Sequence, residues 1–352
     1  MATTYSVPIP NGTGNGQMIS ADLPVYTRKD FVSDQEVRWC PGCGDYSILS
    51  QMQKMLPDLG VRRENLVFVS GIGCSSRFPY YIESYGFHSI HGRALTLASG
   101  LKVSRPELKI FVITGDGDGL SIGGNHLLHA MRRNLDLTVV LFNNRIYGLT
   151  KGQFSPTSEM GKVTKSSPYG TTEAPLNPTR IALAAGATFV ARTLDRDIKH
   201  LEETLRKAAD HKGISFVEVY QNCNVFNDGA FAGFYDKEVR QDKMIYLEDG
   251  KPLRFGANRE HGIRLSGFSP EIVFNADGDN GLIVHDVKAN AALANILVGM
   301  DYPEFPVPVG VFRDIDAPVF EDMVTAQMER AQAGGKPDFQ ELLAGSDTWV
   351  VD

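Results

Sequence analysis

The two apolar runs Lys109–Thr114 (KIFVIT) and Leu137–Phe142 (LTVVLF) constrain this chain more than any other feature. Each is continuous in polarity, the pattern of a strand buried on both faces. Each ends abruptly, the first in Gly115-Asp116-Gly117-Asp118-Gly119 and the second in Asn143-Asn144. The stretch between them, closing at Arg132-Arg133, reads as a helix. Strand, helix and strand in this order form a parallel crossover unit, so both turns lie at the same edge of one sheet.

The alternation continues in both directions. Tyr46–Met55 has helical spacing, and the apolar run Leu66–Ser70 enters Gly71-Ile72-Gly73-Cys74. His91–Val103 reads as a helix closed by Arg105-Pro106. Pro178–Ala185, Thr188–Arg192, Ile198–Ala209 and Ile214–Tyr220 follow, with Cys223 just beyond the last strand. The pattern predicts an α/β fold, a doubly wound and mostly parallel sheet with helices on both faces. Ligands in such sheets collect beyond the carboxyl ends of the strands. The loops Gly71–Cys74, Gly115–Gly119, Asn143–Gly148 and Asn222–Asn224 are all expected there.

The texture of the sequence divides the chain into three regions. Residues 1–35, rich in Gly, Asn, Thr and Pro toward the start, read as an N-terminal arm. Residues 36–225 form the ligand-binding domain, and 226–352 a C-terminal extension packed on the core or on a neighbouring subunit. In that extension 226–280 is polar and Gly-rich with little periodicity. Ala289–Met300 and Glu321–Ala333 look helical, and Pro306–Phe312 looks like a strand.

Composition narrows the partners. A formal charge of −7 over 352 residues argues against a general nucleic-acid binder. No run reaches the roughly 18 apolar residues of a membrane span. The first residues, MATTYSVPIPNGTGNGQ, lack the basic and apolar segments of a secretory signal, so a cytoplasmic location is expected.

A Gly-rich turn after a buried strand lets the backbone approach a phosphate, and the following helix adds free N–H groups. Asp116, Asn144 and the carbonyl of Ile146 are oxygen donors at one sheet edge, suited to a Mg²⁺ ion that phosphate oxygens complete. Twenty-five residues, 118–142, separate the two halves. GDG followed by NN at this interval resembles the thiamine diphosphate motif, and implies a phosphate-type thiamine-binding module.

The four cysteines are Cys40, Cys43, Cys74 and Cys223. Disulfides are rare in large cytosolic proteins. Read singly, Cys74 and Cys223 are ordinary buried thiols. Read with the CxxC pair they make a four-thiolate set, which suits zinc or an iron–sulfur cluster equally well. Spacing does not choose between them.

The segments WCPGCGDY, GIGCSSRFPYY, HGRALTLASGLK, GDGDGLSIGGNH and NNRIYGLTKGQ together resemble the β subunit of 2-oxoacid:ferredoxin oxidoreductases of the 2-oxoglutarate type. The likeness runs over about residues 36–225, and beyond that rests on length and the PVPVGVFR segment. It implies that Cys40, Cys43, Cys74 and Cys223 bind a four-iron four-sulfur cluster beside thiamine diphosphate. It implies Asp116, Asn144 and Ile146 as Mg²⁺ ligands. It implies thiamine contacts from Ile72, Gly73, Cys74, Ser75, His91, Gly115, Gly117, Asp118, Gly148 and Leu149. Asn125 and His126 read first as the start of a helix, and Gly42, Gly44 and Asp45 as shaping the loop between cluster and thiamine.

The implied reaction is a reversible, CoA-dependent oxidative decarboxylation of 2-oxoglutarate to succinyl-CoA and CO₂. Electrons pass one at a time to the cluster and on to ferredoxin. Arg77 and Lys151 are candidates for the distal carboxylate, since arginine binds carboxylates bidentately; the plain alternative is a solvated surface charge or a subunit salt bridge. Pyruvate enzymes carry Asn where this chain has Leu149, a departure that favours a larger oxoacid. Pyruvate or branched-chain oxoacid enzymes are the alternative inside the family; a non-redox thiamine enzyme or a zinc-stapled scaffold are the alternatives outside it. The glutamate that activates thiamine has no module here, so the resemblance implies an α subunit that supplies it, in an αβ or (αβ)₂ assembly.

Overall fold

The computed structural model describes residues 24–335, 338–347, 349 and 351; the first 23 residues of the expected arm lie outside them. Eleven strands are present among these residues: β1 Leu66–Ser70, β2 Tyr85–His88, β3 Lys109–Gly115, β4 Thr138–Asn143, β5 Phe189–Leu194, β6 Ser215–Tyr220, β7 Met244–Leu247, β8 Arg254–Phe255, β9 His261–Ser266, β10 Ser269–Val273 and β11 Val307–Asp314. Eight of them form one sheet in the order β2-β1-β3-β4-β6-β5-β11-β7. The first six run parallel; β11 joins β5 antiparallel and carries β7 parallel to itself.

Successive residues of the central strands enter opposite layers. Val67, Val69, Ile110 and Val112 pack under the helices α2 (Ala94–Ser104), α4 (Gly124–Arg133) and α5 (Pro178–Ala184). Leu66, Phe68, Phe111 and Ile113 pack on the other face, under α1 (Asp45–Met55) and α6 (Ile198–Asp210). Both faces are therefore apolar, as the continuous runs of β3 and β4 require. The doubly wound parallel sheet expected from the sequence is the fold observed. No helix among the described residues is long and apolar enough to cross a membrane.

Three local expectations are corrected. The Gly115–Gly119 stretch, read as a loop, is the end of β3 and one helical turn, α3 (Asp116–Leu120). The helix expected from His91 starts at Ala94, because His91 and Gly92 form a turn tied to Asp118. Phe31 is fully buried in the layer that holds Trp39, so the chain joins the core before residue 36. The region after 225 packs on the core, where β7 and β11 widen the main sheet and cover the edge β5 would otherwise expose. Its three-stranded sheet β10-β9-β8 lies where little periodicity was visible.

Candidate active site

Strands β1, β3, β4 and β6 end at the same edge, and their carboxyl-end loops meet around one cavity of about 480 Å³. Ile72, Gly73, Cys74 and Ser75 line it from the loop after β1. Gly115, Asp116, Gly117 and Asp118 line it from the β3–α3 turn. Asn144, Ile146, Gly148 and Leu149 line it after β4, with His91 and Asp45 at its wall.

Asp116 is buried, and its Oδ2 accepts the hydroxyls of Ser155 (2.5 Å) and Thr157 (2.6 Å). Burial pushes its carboxyl above the usual carboxylate range, and the two hydroxyls pull it back down. Neither hydroxyl was foreseen; the SPTS run at 155–158 is the only signal the sequence holds for them. Asn144 closes a short turn, Oδ1 accepting from the Ile146 N–H at 3.2 Å while Nδ2 donates to Gln221 Oε1 at 2.9 Å. Tyr147 spans back to the first loop, donating to the Gly117 carbonyl at 2.9 Å.

Asp118 lines the cavity and also holds its loops together. Its Oδ1 accepts from the Ile72 N–H (3.1 Å), the Gly92 N–H (2.7 Å) and His91 Nδ1 (2.6 Å), and its Oδ2 from Thr114 Oγ1 (2.7 Å). One carboxylate thus pins two loops and presents the His91 ring to the cavity. Gly71 is required beside it, since a Cβ there would stand 2.0 Å from Asp118 Oδ2.

The cysteine loops come from three parts of the chain. Cys43 N–H donates to the Cys40 carbonyl at 3.0 Å, and the Asn224 amide holds the Pro41 carbonyl at 2.6 Å. Trp39 Nε1 donates to the Cys74 carbonyl at 2.7 Å, which joins the CxxC loop to the loop after β1. A Cβ built on Gly148 would stand 3.6 Å from both Cys74 Sγ and Cys223 Sγ, so a bare backbone faces these two sulfurs. Cys40 is exposed and Cys223 buried. Burial, then the Asp45 carboxylate, pushes the Cys74 thiol up to about 12, and the Cys43 thiol is raised by the same causes in the same order. Among the described residues no three His, Cys, Asp or Glu side chains converge closely enough to hold one metal ion.

Asp45, just after the CxxC, is buried with both carboxylate oxygens unpartnered. Burial and then the nearby Asp195 push it up to about 7. Arg77 and Lys151 do not line the cavity. Arg77 Nε donates to Tyr81 Oη at 2.9 Å, its guanidinium lying against the Tyr80 and Tyr81 rings. Lys151 is exposed, at φ 76°. Leu149 reaches the cavity and is half-exposed.

Comparison with known proteins places this geometry. Residues 71–219 match the family model of the thiamine pyrophosphate enzyme C-terminal TPP binding domain. The chain is 52% identical to the 2-oxoglutarate oxidoreductase subunit KorB of Mycobacterium tuberculosis, over 97% of this chain and 93% of that one. It is 48% identical to a 2-oxoacid:ferredoxin oxidoreductase β subunit of Saccharolobus solfataricus, over 57% of this chain and 67% of the relative. A solved 2-oxoglutarate:ferredoxin oxidoreductase from Magnetococcus marinus, with 2-oxoglutarate, coenzyme A and succinyl-CoA bound, has the same fold. The TM-score is 0.75 at 32% identity, covering 93% of this chain and 98% of that one. With these relatives and this thiamine-binding domain, the chain belongs to the β-subunit family of 2-oxoglutarate:ferredoxin oxidoreductases.

Proposed function

We propose that this chain holds thiamine diphosphate through Mg²⁺ at Asp116, Asn144 and the Ile146 carbonyl, and a four-iron four-sulfur cluster at Cys40, Cys43, Cys74 and Cys223. With an α subunit it converts 2-oxoglutarate and coenzyme A to succinyl-CoA and CO₂, in either direction, and exchanges the electrons with ferredoxin. The observation that carries this reading is Cys74. It lines the same cavity as Asp116 and Asn144, while its sulfur faces Gly148 together with that of Cys223.

The donor set fits the cofactors. Asp116, Asn144 and Ile146 reach one cavity and offer a carboxylate, an amide and a carbonyl, all hard oxygen donors. Cys40, Cys43, Cys74 and Cys223 are free thiols and offer the four thiolates that such a cluster takes.

Bound thiamine supplies the electron sink for decarboxylation, and the cluster a one-electron acceptor beside it. The chain's own groups prepare the site. Ser155 and Thr157 fix the Asp116 carboxylate, Asp118 fixes the His91 ring, and the Gly148 backbone leaves open space between two sulfurs. His91 Nδ1 is committed to Asp118, so its Nε2 is the atom free to meet a ligand in the cavity.

The substrate follows the relatives, whose names and bound molecules specify 2-oxoglutarate. Co-expression with the α partner and anaerobic assay of viologen reduction tests it. Faster reduction with 2-oxoglutarate than with pyruvate or branched-chain oxoacids is expected; the reverse order would reassign the substrate.

A further inference from the structure

We propose that Gln221 is a positioning residue that ties the oxygen-donor loop to the cysteine set and raises the reduction potential of the cluster. The inference rests on the cluster reading above and deepens it. Gln221 is the first residue after β6 and is buried, 1% exposed. Its backbone N–H donates to the Asn143 carbonyl at 2.9 Å, which anchors it beside the end of β4. Its side chain then reaches both halves of the site. Oε1 accepts from Asn144 Nδ2 at 2.9 Å; Nε2 donates to the Asn222 carbonyl at 2.6 Å and to Cys43 Sγ at 3.3 Å.

The direction of this bridge is set from one end. The Ile146 N–H needs an acceptor and takes Asn144 Oδ1, which leaves Asn144 Nδ2 facing Gln221. Only the Gln221 oxygen can accept from it, so the Gln221 amide nitrogen must face Cys43. Asn222 reinforces the arrangement, because its carbonyl takes both the Gln221 amide and the Gly44 N–H just after Cys43. A donor with no competing acceptor role is thereby held on a thiolate of the cluster.

The consequence for redox chemistry follows from charge. Oxidation of the 2-oxoacid releases two electrons, which the cluster would take and pass to ferredoxin one at a time; no bond to Gln221 forms or breaks. The reduced cluster carries more negative charge on its sulfurs. An N–H donor stabilises that charge and makes reduction easier, a recognised lever on cluster potentials. The other end of the same amide holds Asn144 in place for the divalent cation. One side chain therefore acts on both cofactors.

Two substitutions separate the two arms. Gln221→Met keeps the length and removes both contacts. Gln221→Glu keeps an acceptor for Asn144 Nδ2 and replaces the donor facing Cys43 by oxygen. Both are made in the full αβ protein, with iron content measured first, and EPR-monitored redox titration gives the potential. Mn²⁺ binding, read by EPR on the same preparations, reports the oxygen-donor loop. For both variants the reduced-to-oxidised ratio at a fixed applied potential should fall about tenfold, 59 mV for a one-electron couple. Mn²⁺ affinity should fall about fivefold in Gln221→Met, the worth of one neutral hydrogen bond, and hold in Gln221→Glu. Full iron content with an unchanged ratio in both variants would overturn the inference and leave the cluster reading intact. Wild-type protein without iron would overturn both.

Discussion

His91 Nδ1 lies 2.6 Å from Asp118 Oδ1, and that one contact sets how the cavity wall is built. The same oxygen takes the N–H groups of Ile72 and Gly92, so the carboxylate fills what would otherwise be a hole between two loops. Asp118→Ala should leave the buried Gly92 N–H and the half-buried Ile72 N–H unpaired. The expected loss of stability is about 3 kcal/mol, measured by denaturant unfolding, with weaker thiamine diphosphate binding. A variant with wild-type stability would show that the loops hold themselves.

Ser155 and Thr157 carry the Asp116 carboxylate. Removing one charge-assisted hydrogen bond costs about 1.5 kcal/mol, roughly tenfold in affinity. Ser155→Ala should weaken Mn²⁺ or thiamine diphosphate binding by that factor in a calorimetric titration. Unchanged affinity would mean that the hydroxyls serve the loop alone.

Gly148 separates apo folding from cluster binding. A methyl group there would make only ordinary 3.6 Å contacts with the Cys74 and Cys223 sulfurs, so Gly148→Ala should change the cluster-free stability by less than about 0.5 kcal/mol. The same methyl group projects toward the space a cluster would use. Iron content should fall while the thermal unfolding of chelator-treated protein stays in place.

His285 makes acid stability testable away from the site. It is fully buried, its Nε2 donates to the Val311 carbonyl at 2.7 Å, and its Nδ1 has no partner. Burial holds its pKa below the ordinary histidine value, against the pull of the Val311 carbonyl, Asp249 and Asp286. The unfolded chain therefore takes up this proton first as pH falls. The stability tied to neutral His285 is complete above about pH 6.5 and is lost as pH drops through the folded value. His285→Gln should flatten the stability–pH slope below pH 6.5 by up to about 1.4 kcal/mol per pH unit. An identical slope would place the acid sensitivity in other groups.

How much of this was legible in the sequence depends on how each element is stabilised. Strands β1, β3, β4 and β6 lie between two helical layers, so their apolar runs announced them and with them the edge where the loops meet. Strand β2 is exposed along its whole length, and β8 has two residues; neither carries a periodic signal. Asp118 stood inside a recognisable motif, but its partners Ile72 and Gly92 are set by tertiary packing. Ser155, Thr157 and Gln221 sit in or beside irregular segments, where only the fold shows that a hydroxyl or an amide meets Asp116 or Cys43. Arg77 was singled out from its position in GCSSR, but its packing against Tyr80 and Tyr81 is visible only in the fold.

The most direct test is iron and acid-labile sulfide in anaerobically purified αβ protein, compared between wild type and a Cys43→Ser, Cys223→Ser double variant. The account predicts about four iron and four sulfide per β chain in the wild type, lost in the variant, with thiamine binding retained. Iron and sulfide unchanged by the two substitutions would place the cluster outside this chain and contradict the account.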